Sequence, residues 1–228
     1  MDKKKIIWEA HLRGLHDGAI NFWMGMLDDV LEDTGQELEV FEYGALSSKF
    51  LEFLEIVCEI RAGLGVVIPV DDKQNHHTWS SGKSQKLMFA SESQTQPAHT
   101  FDIGFSQEVF SLMADLPAHA RFIWDMLSPT GVYYSTFGWH TENPCTVRQQ
   151  SLRSKKSQPF YLYSLDEVAQ AFHAQGFEVG VKRLTLPYFM IYDPQITPGR
   201  YGNVENMILC QQDHKILLSF RKWGESHD

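Results

Sequence analysis

Apolar positions return at helical spacing along the first stretch of the chain, with Ile20, Trp23, Met24, Leu27 and Leu31 on one side. The pattern predicts two helices between Lys5 and about Asp33, joined near Gly14–Gly18 and stopped by "DTGQ". The rhythm then changes. "ELEVFEYG" reads as a short strand and "SSKFLEFLEIVCEIRAG" as a helix, with Ser47 or Ser48 as N-cap and Phe50, Leu51, Leu54, Val57 and Cys58 as its apolar face. "GVVIPV" (65–70) reads as a second strand, and "KLMFASE" and "TFDIGFSQ" as two more.

The helix predicted over "PAHARFIWDMLSPTG" has Pro117 in its first turn, and "VYYSTFG" follows as a strand rich in β-branched and aromatic residues. "SLDEVAQAFHAQGF" carries a capping box, Ser164 with Glu167, and stops at Gly176 before the strand "EVGVKRL". The last two apolar runs, "ENMILCQQ" and "KILLSFRKW", are separated only by "DH" and predict a hairpin. Pro69 and Gly104 fall inside predicted strands, where each weakens the ladder. Alternation of strand and helix at this rhythm implies an α/β fold with a mostly parallel sheet, helices on both faces and an antiparallel C-terminal edge.

Composition narrows the function classes. The 228 residues carry 20 Lys and Arg against 29 Asp and Glu, a formal charge of −9. The one compact basic stretch is "RSKKS" (153–157), so a broad nucleic-acid surface, which draws its affinity from phosphate contacts, is not expected. No apolar run approaches the ~20 residues that span a bilayer. The start, "MDKKKIIWEAHLRG", lacks the apolar core of a secretory signal. Cys58, Cys145 and Cys210 are too far apart in sequence for a zinc knuckle or an evident disulfide framework, which leads us to expect reduced thiols in a cytoplasmic protein. Adjacent His76 and His77 point in different directions on a regular element, and no metal site is expected from them.

"VFEYGALSSKFLEFL" carries the chemistry: an acid, Glu42, at a strand end, then Gly44, then a helix onset. Together with "FDIGFSQEVFSLMADLPAHARFIWDMLSPTGVYYSTFG" and "YSLDEVAQAFHAQGFEVGVKRL", it resembles the class I S-adenosylmethionine-dependent methyltransferases over roughly Glu37 to the C-terminus. The resemblance implies a doubly wound, mostly parallel seven-stranded sheet (37–228) beneath an N-terminal helical cap (1–36). It implies S-adenosyl-L-methionine as cofactor, bound by Glu42, Gly44 and Ala45 at the turn and by Asp71, beside Asp72, at the ribose. Ser91 and Glu92 would face the adenine, and Ser106 and Gln107 would lie under the methionine part.

Leu46 and Ser48 stand where the family has its second and third glycines. If the turn needs a positive φ at Leu46, the cost is on the order of 1–2 kcal/mol. After the fifth strand, "FGWHTENP" offers His140 as a base for a substrate hydroxyl or amine. The aromatic clusters "PFYLYSL" and "LPYFMIYDP" are either pocket walls or core. Three readings stay open: methyl transfer to a small-molecule substrate, a non-catalytic binding or regulatory protein that has lost cofactor use, and a pocket turned to another ligand.

Overall fold

The computed structural model describes residues 3–28, 30, 37–68, 86–96, 99–155, 158–184 and 189–222. In chain order the elements are α1 (Lys3–Leu12), α2 (Asp17–Leu27), β1 (Leu38–Tyr43), α3 (Lys49–Val57), β2 (Ile60–Val67), β3 (Leu87–Ser91), β4 (Phe101–Gln107), α4 (Leu116–Met126), β5 (Leu127–Phe137), α5 (Thr146–Ser154), α6 (Leu165–Ala174), β6 (Phe177–Arg183), α7 (Thr197–Arg200), α8 (Val204–Ile208) and β7 (Ile216–Lys222). The strands form one seven-stranded sheet in the order β3-β2-β1-β4-β5-β7-β6. β1 through β5 run parallel, while β7 is antiparallel to both β5 and β6. The chain winds outward from β1 to β3, then returns to start again at β4. The β1–β4 boundary is therefore the topological switch point, where open α/β sheets bind ligands beyond their strand carboxyl ends.

Strand alternation splits the core in two. Val40, Phe105 and Leu217 face the α1–α3 side, where Ile6, Ile20, Trp23, Phe50 and Leu54 pack. Phe41, Tyr133, Leu218 and Phe220 face the other side, against Ile123 and Met126 of α4 and Val168 and Phe172 of α6. Phe172 stacks on Phe220 at 3.8 Å between ring centroids, inside a group of mutually packed aromatic rings. Gly104 keeps its place in the middle of β4 for a steric reason: a Cβ there would lie 2.3 Å from the Phe41 ring and 2.9 Å from the Tyr133 ring. The glycine makes room for that stack.

Several helix starts follow the sequence signals. Asp115 accepts a hydrogen bond from the Ala118 amide at 3.0 Å, with Pro117 in the first turn of α4. The Ser164–Glu167 capping box closes the start of α6 on both sides.

Three expectations are corrected. The third helix ends at Val57 instead of running to Gly63, and β2 begins at Ile60, where Ile60, Leu64 and Val66 pair with Leu38, Phe41 and Tyr43 of β1. The fourth ends at Met126, because Pro129 has no N–H to continue it and disfavours helical Ser128, so "LSPTG" belongs to β5. The third concerns "ENMILCQQ", which is helical and not a hairpin strand. Asn203 caps α8 by accepting from the Asn206 amide at 2.7 Å, and one helical turn more (209–213) follows. Met207 and Cys210 then face one way, onto Trp139, Cys145 and Tyr201. β7 takes its partners from β5 and β6 instead.

Candidate functional site

Glu42 ends the α1–α3 face of β1, and Gln107 ends the same face of β4. Their neighbours Tyr43 and Ser106 are in register across the switch point. Gln107 donates from Nε2 to Glu42 Oε1 at 3.4 Å and accepts, at Oε1, from the Trp23 indole at 3.0 Å. Trp23 belongs to α2, so the N-terminal helices sit over the switch point and are tied to it by a polar relay.

Glu42 is 6% exposed, and its Oε2 has no partner among the described residues. Burial pushes its carboxyl up to about 8, against a weaker opposite pull from Gln107. The acid is held neutral near pH 7 and has one oxygen to offer.

Gly44 follows at φ +80°, a conformation open to glycine and costly for other residues. A Cβ there would meet Val109 Cγ1 at 2.6 Å, so the loop after β4 lies directly on the turn. The Gly44 and Ala45 amides both donate to the Val66 carbonyl, at 2.8 and 3.1 Å. Ala45 is buried, and its own amide is thereby engaged within the fold. Leu46 has no positive φ, and its side chain is 71% exposed. The turn takes a path on which leucine neither strains the backbone nor enters the site. Ser48 stands just before α3 without capping it through its side chain.

Two cavities flank this turn. The first, about 300 Å³, lies over Tyr43, Ile68, Glu92, Leu112, Met113 and His119. Glu92 accepts from the Tyr43 hydroxyl at 2.9 Å, and Ser91 is drawn into a capping box with Gln94. His119 packs against Tyr43 with ring centroids 4.5 Å apart and the rings tilted, and burial drives its imidazole down to about 3. Asp71, Asp72, His76 and His77 lie outside the described residues. Among the described residues no group of three or more His, Cys, Asp or Glu is placed to hold a metal ion.

The second cavity, about 350 Å³, opens between α2, the ends of β4 and β5, and the start of β7. Phe22, Trp23 and Trp139 form apolar walls, while Gln107, Glu108, Thr136, Gln211, Lys215 and Arg200 supply polar groups. The Thr136 hydroxyl is fully buried and has no partner among the described residues. Glu108, the residue after β4, sits at φ +58°, a conformation that costs a non-glycine residue on the order of 1–3 kcal/mol. Its carboxylate is locked between the Lys215 ammonium and the Gly138 amide, the latter at 2.8 Å. Strained backbone bearing a fixed carboxylate at a cavity wall is the kind of feature that gathers at functional sites.

The sequence-derived site residues thus divide. Glu42, Gly44 and Gln107 come together at the switch point, and Glu92 lines the first cavity. Ser106 points to the opposite face, where its hydroxyl donates to Ser135 at 2.7 Å and accepts from Tyr133 at 2.5 Å. His140 is 1% exposed and stands behind Trp139. Its Nε2 donates to the His214 carbonyl at 3.0 Å and its Nδ1 meets Glu142 at 2.8 Å, so both ring nitrogens are occupied and neither is turned to the second cavity. Cys145 and Cys210, expected as separate thiols, face each other as a disulfide with Cα atoms 6.3 Å apart, and Cys58 stays free.

Glu108, Thr136, Lys215 and Arg200 escaped sequence reasoning, because they meet from segments far apart in the chain. Only Glu108, next to Gln107 in "FSQE", carried a local hint.

No protein-family model matches the chain, and no curated protein matches it. Solved structures do. A Haloferax volcanii chain, described as a methyltransferase and solved in complex with the Trm112 methyltransferase activator, is 19% identical with TM-score 0.74, covering 97% of this chain and 96% of its own. An S-adenosylmethionine-dependent methyltransferase from Mesorhizobium loti is 16% identical with TM-score 0.61, over 89% and 98%. The [4+2]-cyclase SpnF is 16% identical with TM-score 0.57, over 90% and 82%. The chain has the fold of the class I S-adenosylmethionine-dependent methyltransferases.

Proposed function

We propose that this protein transfers a methyl group from S-adenosyl-L-methionine to a small-molecule nucleophile. The observation that carries the reading is the pair of cavities on either side of the β1–β4 switch point, with the acid–glycine turn between them. The first cavity suits the adenosyl part, with Glu92 offered to the adenine amine. Glu42, with an unpartnered buried oxygen, fits the cationic methionine end. The second cavity suits the methyl acceptor.

Bound there, S-adenosylmethionine would supply a methyl carbon on a positively charged sulfur, which would keep the electron pair of the broken bond as the acceptor's lone pair formed the new one. The acceptor then sheds a proton. The chain's own part is alignment and exclusion of water, which can carry much of such a transfer. Trp23 and Phe22 close the cavity from the side of the cap, and Trp139, after β5, closes it from the sheet. Gln107 and Thr136 can orient a donor or acceptor on the substrate. Glu108, rather than His140, stands at the cavity wall where a released proton could go, its carboxylate fixed by the Lys215 ammonium and the Gly138 amide.

A second reading rests on Val109. Its packing on Gly44, with the Gly44 and Ala45 amides already engaged, describes a turn closed on itself, as a protein that had given up the cofactor would have it. The fold also hosts reactions other than methyl transfer, the cyclase above among them by name.

Calorimetric titration with S-adenosylmethionine and S-adenosylhomocysteine separates the two. Saturable micromolar binding that Glu42→Ala abolishes is the result expected. No heat from either ligand at millimolar concentration would overturn methyl transfer in favour of the second reading.

A further inference from the structure

The second cavity is lined by a positive charge that no carboxylate among the described residues pairs with. That charge is Arg200. Arg148 of α5 donates to the carbonyls of Pro198 at 2.8 Å and Gly199 at 3.1 Å, fixing the α7 turn that presents Arg200. A third guanidinium, Arg153, stands close enough for Arg200 to help depress its proton affinity, after the larger effect of partial burial. Among the described residues none of these three arginines forms a salt bridge with a carboxylate. Lys215, in the same cavity, is different, because Glu108 neutralises it.

Three arginines gathered without a counter-charge is unexpected on a chain of net charge −9. Holding like charges together costs free energy that an anionic ligand would return. An arginine fork matches carboxylate or phosphate oxygens in geometry as well as charge. The same cavity is lined by Gln107 and by Thr136, whose buried hydroxyl has no partner among the described residues, and by Phe22 and Trp139, with the Lys215 ammonium 5.3 Å from the Phe22 ring centroid.

We infer that the acceptor taken by this cavity is a small anionic molecule: its carboxylate or phosphate pairs with Arg200, its apolar body lies against Phe22 and Trp139, and its nucleophilic atom reaches Gln107 and Thr136. The inference rests on the methyl-transfer reading for the word acceptor, but the anion site stands on its own residues.

The test uses the full-length protein without cofactor, titrated calorimetrically with phenyl phosphate, with benzoate and with neutral phenol. At least one of the anions should bind in the sub-millimolar range and phenol much more weakly. The tighter of the two tells phosphate from carboxylate. R200Q should weaken the preferred anion by about tenfold or more, the usual scale for a charged hydrogen bond. Arg200 is exposed, so this variant keeps its fold, and K155Q, a charge on the same face but outside the cavity, should bind as wild type.

Binding unchanged in R200Q, an equal loss in K155Q, or no binding by either anion at millimolar concentration would each overturn the inference. Because S-adenosylmethionine is absent from these titrations, anion binding without cofactor binding would remove methyl transfer and leave the site. Cofactor binding without anion binding would do the reverse.

Discussion

Replacing Glu42 with glutamine should flatten the pH dependence of stability between about pH 5 and 9. The carboxyl moves from 4.5 in the unfolded chain to about 8 in the folded protein because burial disfavours its charge. A tenfold change in proton affinity is worth about 1.4 kcal/mol, so the full effect approaches about 5 kcal/mol. Its sign follows from linkage. The folded state keeps the proton that the unfolded chain releases above pH 4.5, so Glu42's contribution to stability is complete below that pH. It is lost as pH rises through about 8, with roughly 3 kcal/mol gone by pH 7.

Against a total folding stability of about 5–15 kcal/mol, such a loss is large. Urea denaturation of wild type and E42Q at unit steps from pH 5 to pH 9 measures it. The wild-type midpoint should fall relative to E42Q across the series. Groups common to both proteins cancel in the comparison, including His119, whose depressed proton affinity makes its contribution present above pH 6.5 and lost toward about 3. Midpoints that move in parallel would show that Glu42 is not a buried neutral acid in the folded protein.

The cationic cofactor should favour the ionised form of Glu42, so its binding at pH 7 should release close to one proton. Calorimetry in buffers of different ionisation enthalpy reads that number, and no release would separate Glu42 from the ligand. Gly44→Ala should destabilise by at least about 1–2 kcal/mol for the left-handed backbone, with the contact at Val109 added, as seen in a lowered melting temperature. Under non-reducing denaturing conditions a thiol titration should find one reactive group, Cys58, and three after reduction; three before reduction would show Cys145 and Cys210 unpaired.

Much of the scaffold was legible because it is written locally. Ser164 and Glu167 stand three residues apart, Asp115 and Pro117 open a helix, and β1 alternates around Val40 and Glu42. Short apolar runs were harder. "ENMILCQQ" has the length and composition of a strand, and only the Asn203 cap and the Trp139–Cys145 patch it packs on make it helical. At the site, the acid and first glycine of the turn could be found by spacing. Most of the cavity lining could not, since Glu108, Thr136, Arg200 and Lys215 share no window of sequence. His140 misled for a related reason: position after a strand suggests access, but Glu142 and His214 had already taken both of its nitrogens.

Leu46 is where the turn departs from the glycine pattern of its fold, yet its side chain stands in solvent on an ordinary backbone. Restoring glycine there would repair nothing. It would enlarge the freedom of the unfolded chain and lower stability by roughly 0.5–1 kcal/mol, with no new space opened for a ligand. A glycine count made along this loop therefore misjudges the turn: the side chain that lies over Gly44 is Val109, on a different loop, and similar chains are better sorted by what stands there.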